Sequence, residues 1–179
     1  VMCMFSGDEK MSEFFLNNED IHAGAAALIL DKDVSEITPD ERQLGKGVNF
    51  LTAYGGGPQK LARTTGVDVE HARTVIDQYY KQFSGITKWK KSVIESGIKH
   101  GYVETISGRR RRLPDLRSDD HNLKSRAERQ AVNAVVQGSA ADICKKAMID
   151  VNTLLQGTDA KILVQVHDEL VAVSYTHLR

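Results

Sequence analysis

Apolar positions along the first hundred residues recur at helical spacing, and a few breakers interrupt them. Met11–Leu16 reads as a short amphipathic helix, Asp20–Leu30 as an Ala-rich one, and Asp31–Ser35 as a loop. Thr38-Pro39-Asp40-Glu41 is a helix start: Thr38 suits a cap, Pro39 the first turn, and the acids the positive end of the helix dipole. That helix runs to about Ala53 and stops at Gly55-Gly56-Gly57-Pro58. Gln59–Thr65, Val69–Phe83 and Thr87–His100 are further helices.

The pattern changes after Gly101. Tyr102–Ile106 alternates as a strand does, and Ser107-Gly108 turns it into the basic run Arg109–Arg112. Leu116–His121 reads as an exposed loop, and Ser125–Leu155 as a long helical region with an interruption or bend near Gly138. Lys161–Val166 and Leu170–Val173 are β-rich and separated only by His167-Asp168-Glu169, which predicts a hairpin. Helices followed by a strand pair give an α+β, predominantly helical class.

Composition narrows this picture. Hydrophobic residues make up 41% of 179, which excludes disorder over most of the chain. No apolar run approaches the ~20 residues that span a bilayer, and Val1–Phe5 has no basic segment of a signal peptide. Cys3 and Cys144 form no ligand cluster and read as free thiols of a reducing cytosol. Net charge is zero but polarised. Residues 1–41 carry ten acids and two Lys, a balance of −8, whereas 88–129 carry twelve Lys/Arg and six acids, a balance of +6. Such asymmetry suits one anion-facing surface.

Four constellations could carry chemistry. Arg42, Lys46, Phe50 and Tyr54 are four apart, so they form one drifting helical stripe, two cations and then two aromatics. A triphosphate wants the cations and a base or sugar the rings, although a solvated basic end leading into a buried aromatic end gives the same spacing. Arg129, Asn133 and Gln137 form a second stripe among small residues; buried without partners it is costly, and either a nucleic-acid groove or a helix–helix contact satisfies it. His167, Asp168 and Glu169 sit at the tip of an apolar hairpin, where a carboxylate can hold a divalent cation or simply solvate a turn. Arg109–Arg112 can track phosphates or form ion pairs.

Jointly these segments resemble the family-A DNA polymerases, the bacterial DNA polymerase I group and its phage relatives. RQLGKGVNFLTAYG (Arg42–Gly55) resembles the family's motif B, and GYVETISGRRRRLPDLRS the fingers segment that follows it. AERQAVNAVVQGSAADICKKAM resembles the helix with Arg, Asn and Gln at spacing four, VQVHDELV motif C, and DIHAGAAALI the segment whose His lies near the incoming nucleotide. The resemblance covers Val1 to about Val173. A single-subunit RNA polymerase shares the Lys and Tyr-Gly helix, but Asn49-Phe50 and Glu169 favour the DNA polymerases. A non-catalytic nucleic-acid-binding module is the alternative from another class.

The resemblance implies a fold of fingers over residues 1–125 and partial palm over 126–179, with the motif C hairpin in the palm and a tail, 174–179, unlike the family's continuation. It implies transfer of deoxynucleotides from dNTPs to a primer 3′-hydroxyl on primer–template DNA, with two Mg²⁺ ions. Arg42 and Lys46 would hold the triphosphate with His22 nearby, Phe50 would pack at the sugar, and Tyr54 would sit where the template base arrives. Arg129, Asn133, Gln137 and His167 would touch DNA; Asp168 would bind metal, with Glu169 beside it. Motif A, with the second metal-binding Asp, would precede Val1, so the 179-residue chain alone is expected to be inactive. Gln43 and Leu51 stand where many members have Arg and Gly. The implied setting is the cytoplasm of a bacterial or phage-infected cell, an organellar parent remaining open, with no membrane partner and a monomeric parent.

Overall fold

The computed structural model describes residues 1–53 and 55–174. Tyr54 and the tail from 175 onward therefore lie outside the described residues. Eight helices and two antiparallel hairpins are described: α1 (Met2–Ser6), α2 (Glu9–Leu16), α3 (Ile21–Leu30), α4 (Pro39–Ala53), α5 (Pro58–Thr65), α6 (Val69–Gln82), α7 (Ser84–His100), β1 (Tyr102–Glu104), β2 (Arg110–Arg112), α8 (His121–Leu154), β3 (Lys161–Val166) and β4 (Glu169–Val173). The expected α+β, mostly helical class is what the structure shows.

Asp residues start four of the eight described α-helices. Asp8, Asp20, Asp68 and Asp120 each accept hydrogen bonds from backbone N–H groups of the first turn of α2, α3, α6 and α8, which satisfies donors that have no intrahelical partner. Thr38 begins α4 through a reciprocal pair: its hydroxyl accepts from the Glu41 N–H at 3.3 Å, and the Glu41 carboxylate accepts from the Thr38 N–H at 2.9 Å.

The first core joins α2 through α7. Ala25 and Ile29 of α3, Val48 and Leu51 of α4, Leu61 of α5, Val75 and Tyr79 of α6, and Ile86 of α7 are buried together with Phe83, the residue at which α6 meets α7. Each buried Val, Leu, Ile or Phe contributes about 1.5–3 kcal/mol. α3 and α4 cross at Gly45. A Cβ there would fall far inside contact distance of the His22 carbonyl oxygen, and 2.9 Å from the Ala26 nitrogen. Only glycine permits this approach.

The second core packs α7 and α8 against the first hairpin through Val103, Leu113, Leu116, Ala127, Ala131 and Val135. Two readings of the sequence are corrected here. Leu116 lies in a 3₁₀ turn, Pro114–Arg117, and is 1% exposed, so the expected exposed loop has its first residue in the core; Arg117, Asp119 and Asp120 are exposed as expected, and α8 starts at His121. α8 also passes through Gly138 without interruption. What Gly138 supplies is room, since a Cβ there would lie 2.6 Å from Thr105 Cγ2 of the β1–β2 connection.

β3 and β4 pair from Lys161↔Val173 to Val166↔Glu169, with an irregularity between Ile162 and Val164. Their apolar side chains remain largely open: Leu163 is 64% exposed, and Val164, Val166 and Val171 are exposed as well. Ile149 and Leu154 at the C-terminal end of α8 are open too.

Candidate nucleotide and nucleic-acid site

α4 projects its cations and Phe50 toward the start of α3. Arg42 Nε donates to Asp20 Oδ2 at 2.5 Å, while Asp20 Oδ1 accepts from the His22 N–H at 2.8 Å and the Ala23 N–H at 3.2 Å. The Arg42 guanidinium, ahead of the two backbone donors and against partial burial, holds the Asp20 carboxyl below its ordinary range. Arg42 is thus anchored where α3 begins. His22 lies in the same corner, its ring centroid 6.1 Å from that of Phe50 at an interplanar angle of 31°. Burial pulls the His22 pKa below its usual value; the Arg42 and Lys46 charges act in the same direction and Asp20 opposes them.

Lys46 and Phe50 also line a groove of about 720 Å³ between α4 and α5, with Gln43, Gly47, Leu51 and Thr65 among its other walls. Three of the four predicted stripe residues therefore stand in one region with His22, and Tyr54 lies outside the described residues. Sequence reasoning used Asn49 only to separate two polymerase families and gave it no place in the site, yet its side-chain NH₂ donates to the Ile21 carbonyl at 3.1 Å and lies 3.0 Å from His22 Nδ1. The signal was present: Asn49 follows Val48 one turn after Gly45, a polar residue on the face that α3 must cover.

The second predicted stripe runs along α8. Arg129 donates to Ser125 Oγ at 2.7 Å, and its stem lies against Gly55, just past the end of α4, where a Cβ would meet Arg129 Cγ at 2.7 Å. Asn133 and Gln137 line a groove of about 440 Å³ with Arg109, Arg110 and Arg111. The Asn133 Oδ1 is buried and has no hydrogen-bond partner in the structure. Gln137 also lines the next depression, of about 410 Å³, together with Cys144, Gln165, His167 and Asp168. Gln137 thus lines two adjacent depressions, one beside the first hairpin and one reaching the β3–β4 tip.

The basic run divides by function. Arg109 donates to Asp142 Oδ1 at 3.1 Å and to the Gly138 carbonyl at 3.1 Å, while Thr105 and Ser107 donate to Asp142 Oδ2 at 2.5 Å each. The two hydroxyls and then Arg109 bring the Asp142 carboxyl down to about 2. Arg110 pairs with Glu104 at 2.7 Å and lies over the Tyr102 ring. Two of the four arginines therefore fasten the hairpin.

At the β3–β4 tip His167 takes a left-handed φ of 53°, so a turn without Gly or Asn closes at a backbone cost. Gln165 Nε2 holds the His167 carbonyl at 2.9 Å. Asp168 and Glu169 are exposed carboxylates, hard oxygen donors of the kind Mg²⁺ takes. Among the described residues no three His, Cys, Asp or Glu side chains cluster to hold a metal ion. The donor chemistry fits one side of such a site only.

The family model for DNA polymerase family A matches residues 1–176. The chain belongs to family A of the DNA polymerases. It is 39% identical over 171 residues to the thermostable DNA polymerase I of Thermus filiformis and 39% identical over 173 residues to DNA polymerase I of Bacillus caldotenax, in both cases over 96% of this chain and 20% of the relative. The chain thus spans about a fifth of the length of these curated relatives. The POL domain of Pol1 from M. smegmatis, solved in complex with DNA primer-template and dNTP, superposes with a TM-score of 0.92 at 37% identity, covering 98% of this chain and 31% of that one. The RNA polymerase reading gives way to family A. Among the described residues no helix is long and apolar enough to cross a membrane.

Proposed function

We propose that this chain is the nucleotide-binding and primer-holding part of a DNA-directed DNA polymerase, a nucleotidyltransferase that moves deoxynucleoside monophosphates from dNTPs to a primer 3′-hydroxyl on primer–template DNA. The observation that carries the reading is the convergence of Arg42, Lys46, Phe50 and His22 at one corner, joined through Arg129 to the polar face of α8 and the β3–β4 tip. The relatives' names and the DNA and dNTP in the M. smegmatis complex support it.

In this reading residues 1–125 are fingers and 126–179 partial palm, with α8 running on both sides of the division. Arg42, Lys46 and His22 face the triphosphate, Phe50 the sugar, and Tyr54 the arriving template base. Arg129, Asn133, Gln137 and His167 meet the primer–template, where a groove edge would give the bare Asn133 Oδ1 a donor. Lys46 acts electrostatically: an ammonium at the phosphates offsets charge that grows as the bond to the leaving pyrophosphate breaks. Asp168, with Glu169 beside it, would supply carboxylate oxygens to Mg²⁺. Two such ions would activate the 3′-hydroxyl and stabilise the pyrophosphate. A polypeptide of these 179 residues carries one side of that site and is inactive by itself. The setting of this reading is the cytoplasm of a bacterial or phage-infected cell, with an organellar parent still open.

The test is single-turnover primer extension by a complete polymerase containing this segment. Lys46→Ala is expected to lower the rate at saturating dNTP by ~10²–10³. A wild-type rate in that variant refutes the role of Lys46, and extension by residues 1–179 alone refutes the one-sided metal site.

A further inference from the structure

Asn49 makes an arrangement that simple packing does not explain. One of its side-chain atoms lies 3.1 Å from the Ile21 carbonyl oxygen and 3.0 Å from His22 Nδ1. A backbone carbonyl only accepts, so that atom is the NH₂ nitrogen and not the amide oxygen. His22 Nδ1, facing the same NH₂, must then be the bare, accepting nitrogen, and the neutral ring carries its proton on Nε2. The Asn49 oxygen, in turn, is buried without a partner. A residue present only to fill space between α3 and α4 would be an aliphatic one and leave no carbonyl bare. The position itself is set by packing: Gly45, one turn earlier, lets the two helices approach closely enough for Asn49 to reach across.

We propose that Asn49 is a positioning residue that fixes His22 as the neutral Nε2–H tautomer, so that the ring offers one N–H donor and no added positive charge to the nucleotide corner formed with Arg42, Lys46 and Phe50. The proposal rests on the reading of that corner as a triphosphate site for its purpose, but not for its geometry. Every charged group around the ring is accounted for: Asp20 from the start of α3, and Arg42 and Lys46 from α4. Protonating Nδ1 would set two donors face to face at 3.0 Å, so Asn49 opposes the imidazolium in the same sense as the two cations do. The corner then holds the cations of Arg42 and Lys46 and gains no third from His22. His22 contributes direction instead of charge, and the Phe50 ring at 6.1 Å limits how the imidazole can turn.

The experiment is ¹⁵N NMR of histidine side chains in the 179-residue chain, without nucleotide. His22→Gln identifies the His22 signals among the six histidines. Wild type should show an unprotonated Nδ1 and a protonated Nε2 over the whole neutral range. Asn49→Ala should give a mixture of tautomers. Asn49→Asp replaces the donor with a carboxylate, which accepts from Nδ1–H; the tautomer should invert and the titration midpoint should rise by about 1–3 pH units. Asn49→Ala guards against a folding failure of Asn49→Asp, and backbone amide spectra report on both. A wild-type His22 protonated on Nδ1, or a tautomer unmoved in both variants, overturns the proposal. Because no nucleotide is present, this result is independent of the primer-extension test of Lys46.

Discussion

Two glycines of α4, two positions apart, should respond in opposite ways to the same substitution. Gly45 lies where α3 crosses α4, and an added Cβ would press on the His22 carbonyl oxygen, the Ala26 nitrogen at 2.9 Å and the Ala26 Cβ at 3.0 Å. Two of those atoms are backbone and have no rotamer with which to move away. Overpacking of this type costs about 1–3 kcal/mol, and backbone contacts place Gly45→Ala near the upper end. Replacing a helical glycine returns about 1 kcal/mol of propensity, which leaves a net loss of about 2 kcal/mol. At Gly47 the added Cβ would meet Thr65 Cγ2 at 3.4 Å and Leu61 Cδ1 at 3.9 Å, both ordinary contacts. Gly47→Ala should therefore gain up to about 1 kcal/mol. The assay is urea unfolding of both variants followed by far-ultraviolet circular dichroism. With a slope of about 2 kcal/mol per molar urea, Gly45→Ala lowers the midpoint by about 1 M and Gly47→Ala raises it by about half that. A Gly45→Ala chain as stable as wild type would refute the crossing at Gly45, and with it the reason Asn49 reaches His22.

Other consequences follow from single contacts. Asp142, with its pKa near 2 in the folded chain against about 3.9 unfolded, contributes stability that is complete above pH 4 and lost as pH falls through 2; protection of the Ile106 amide, bonded to Ser139 Oγ, should weaken over that window in wild type and be insensitive to pH in Asp142→Asn. Identical pH profiles in the two proteins would dismiss the Asp142 clamp. Asp8 is 4% exposed and accepts from the Met11 N–H at 3.0 Å and the Gly85 N–H at 2.8 Å, so Asp8→Ala strands two donors and should cost about 1–3 kcal/mol in the same unfolding assay. Leu163, 64% exposed on β3, gives the 179-residue chain an adhesive strand; Leu163→Lys should reduce concentration-dependent light scattering, and unchanged scattering would exclude that strand as the contact.

The nature and order of the helices followed from local chemistry. Periodic apolar residues, the Thr38–Glu41 cap and the Gly55–Pro58 breaker act within a few residues of each other, so α4 could be drawn from the sequence and the structure bounds it at Pro39 and Ala53. The same holds for the β3–β4 hairpin and for the stripes at spacing four, whose members share a helical face whatever surrounds them. Burial and partnership were decided elsewhere. Leu116 looked like loop because most of its own neighbours are polar, yet it shares a core with Val103 and Ala127 of distant elements. Gly138 looked like a break, but glycine there makes room for Thr105 across the interface. The run Arg109–Arg112 could track phosphates or form ion pairs, and Asp142 and Glu104 beside Arg109 and Arg110 decide for ion pairs at those two. His22 and Asn49 are 27 residues apart, and no periodicity relates them. A spacing rule fixes directions within one element, whereas which two elements meet is a property of the whole core; the hydrogen bond that sets the His22 proton therefore existed only once Gly45 had let α3 and α4 close.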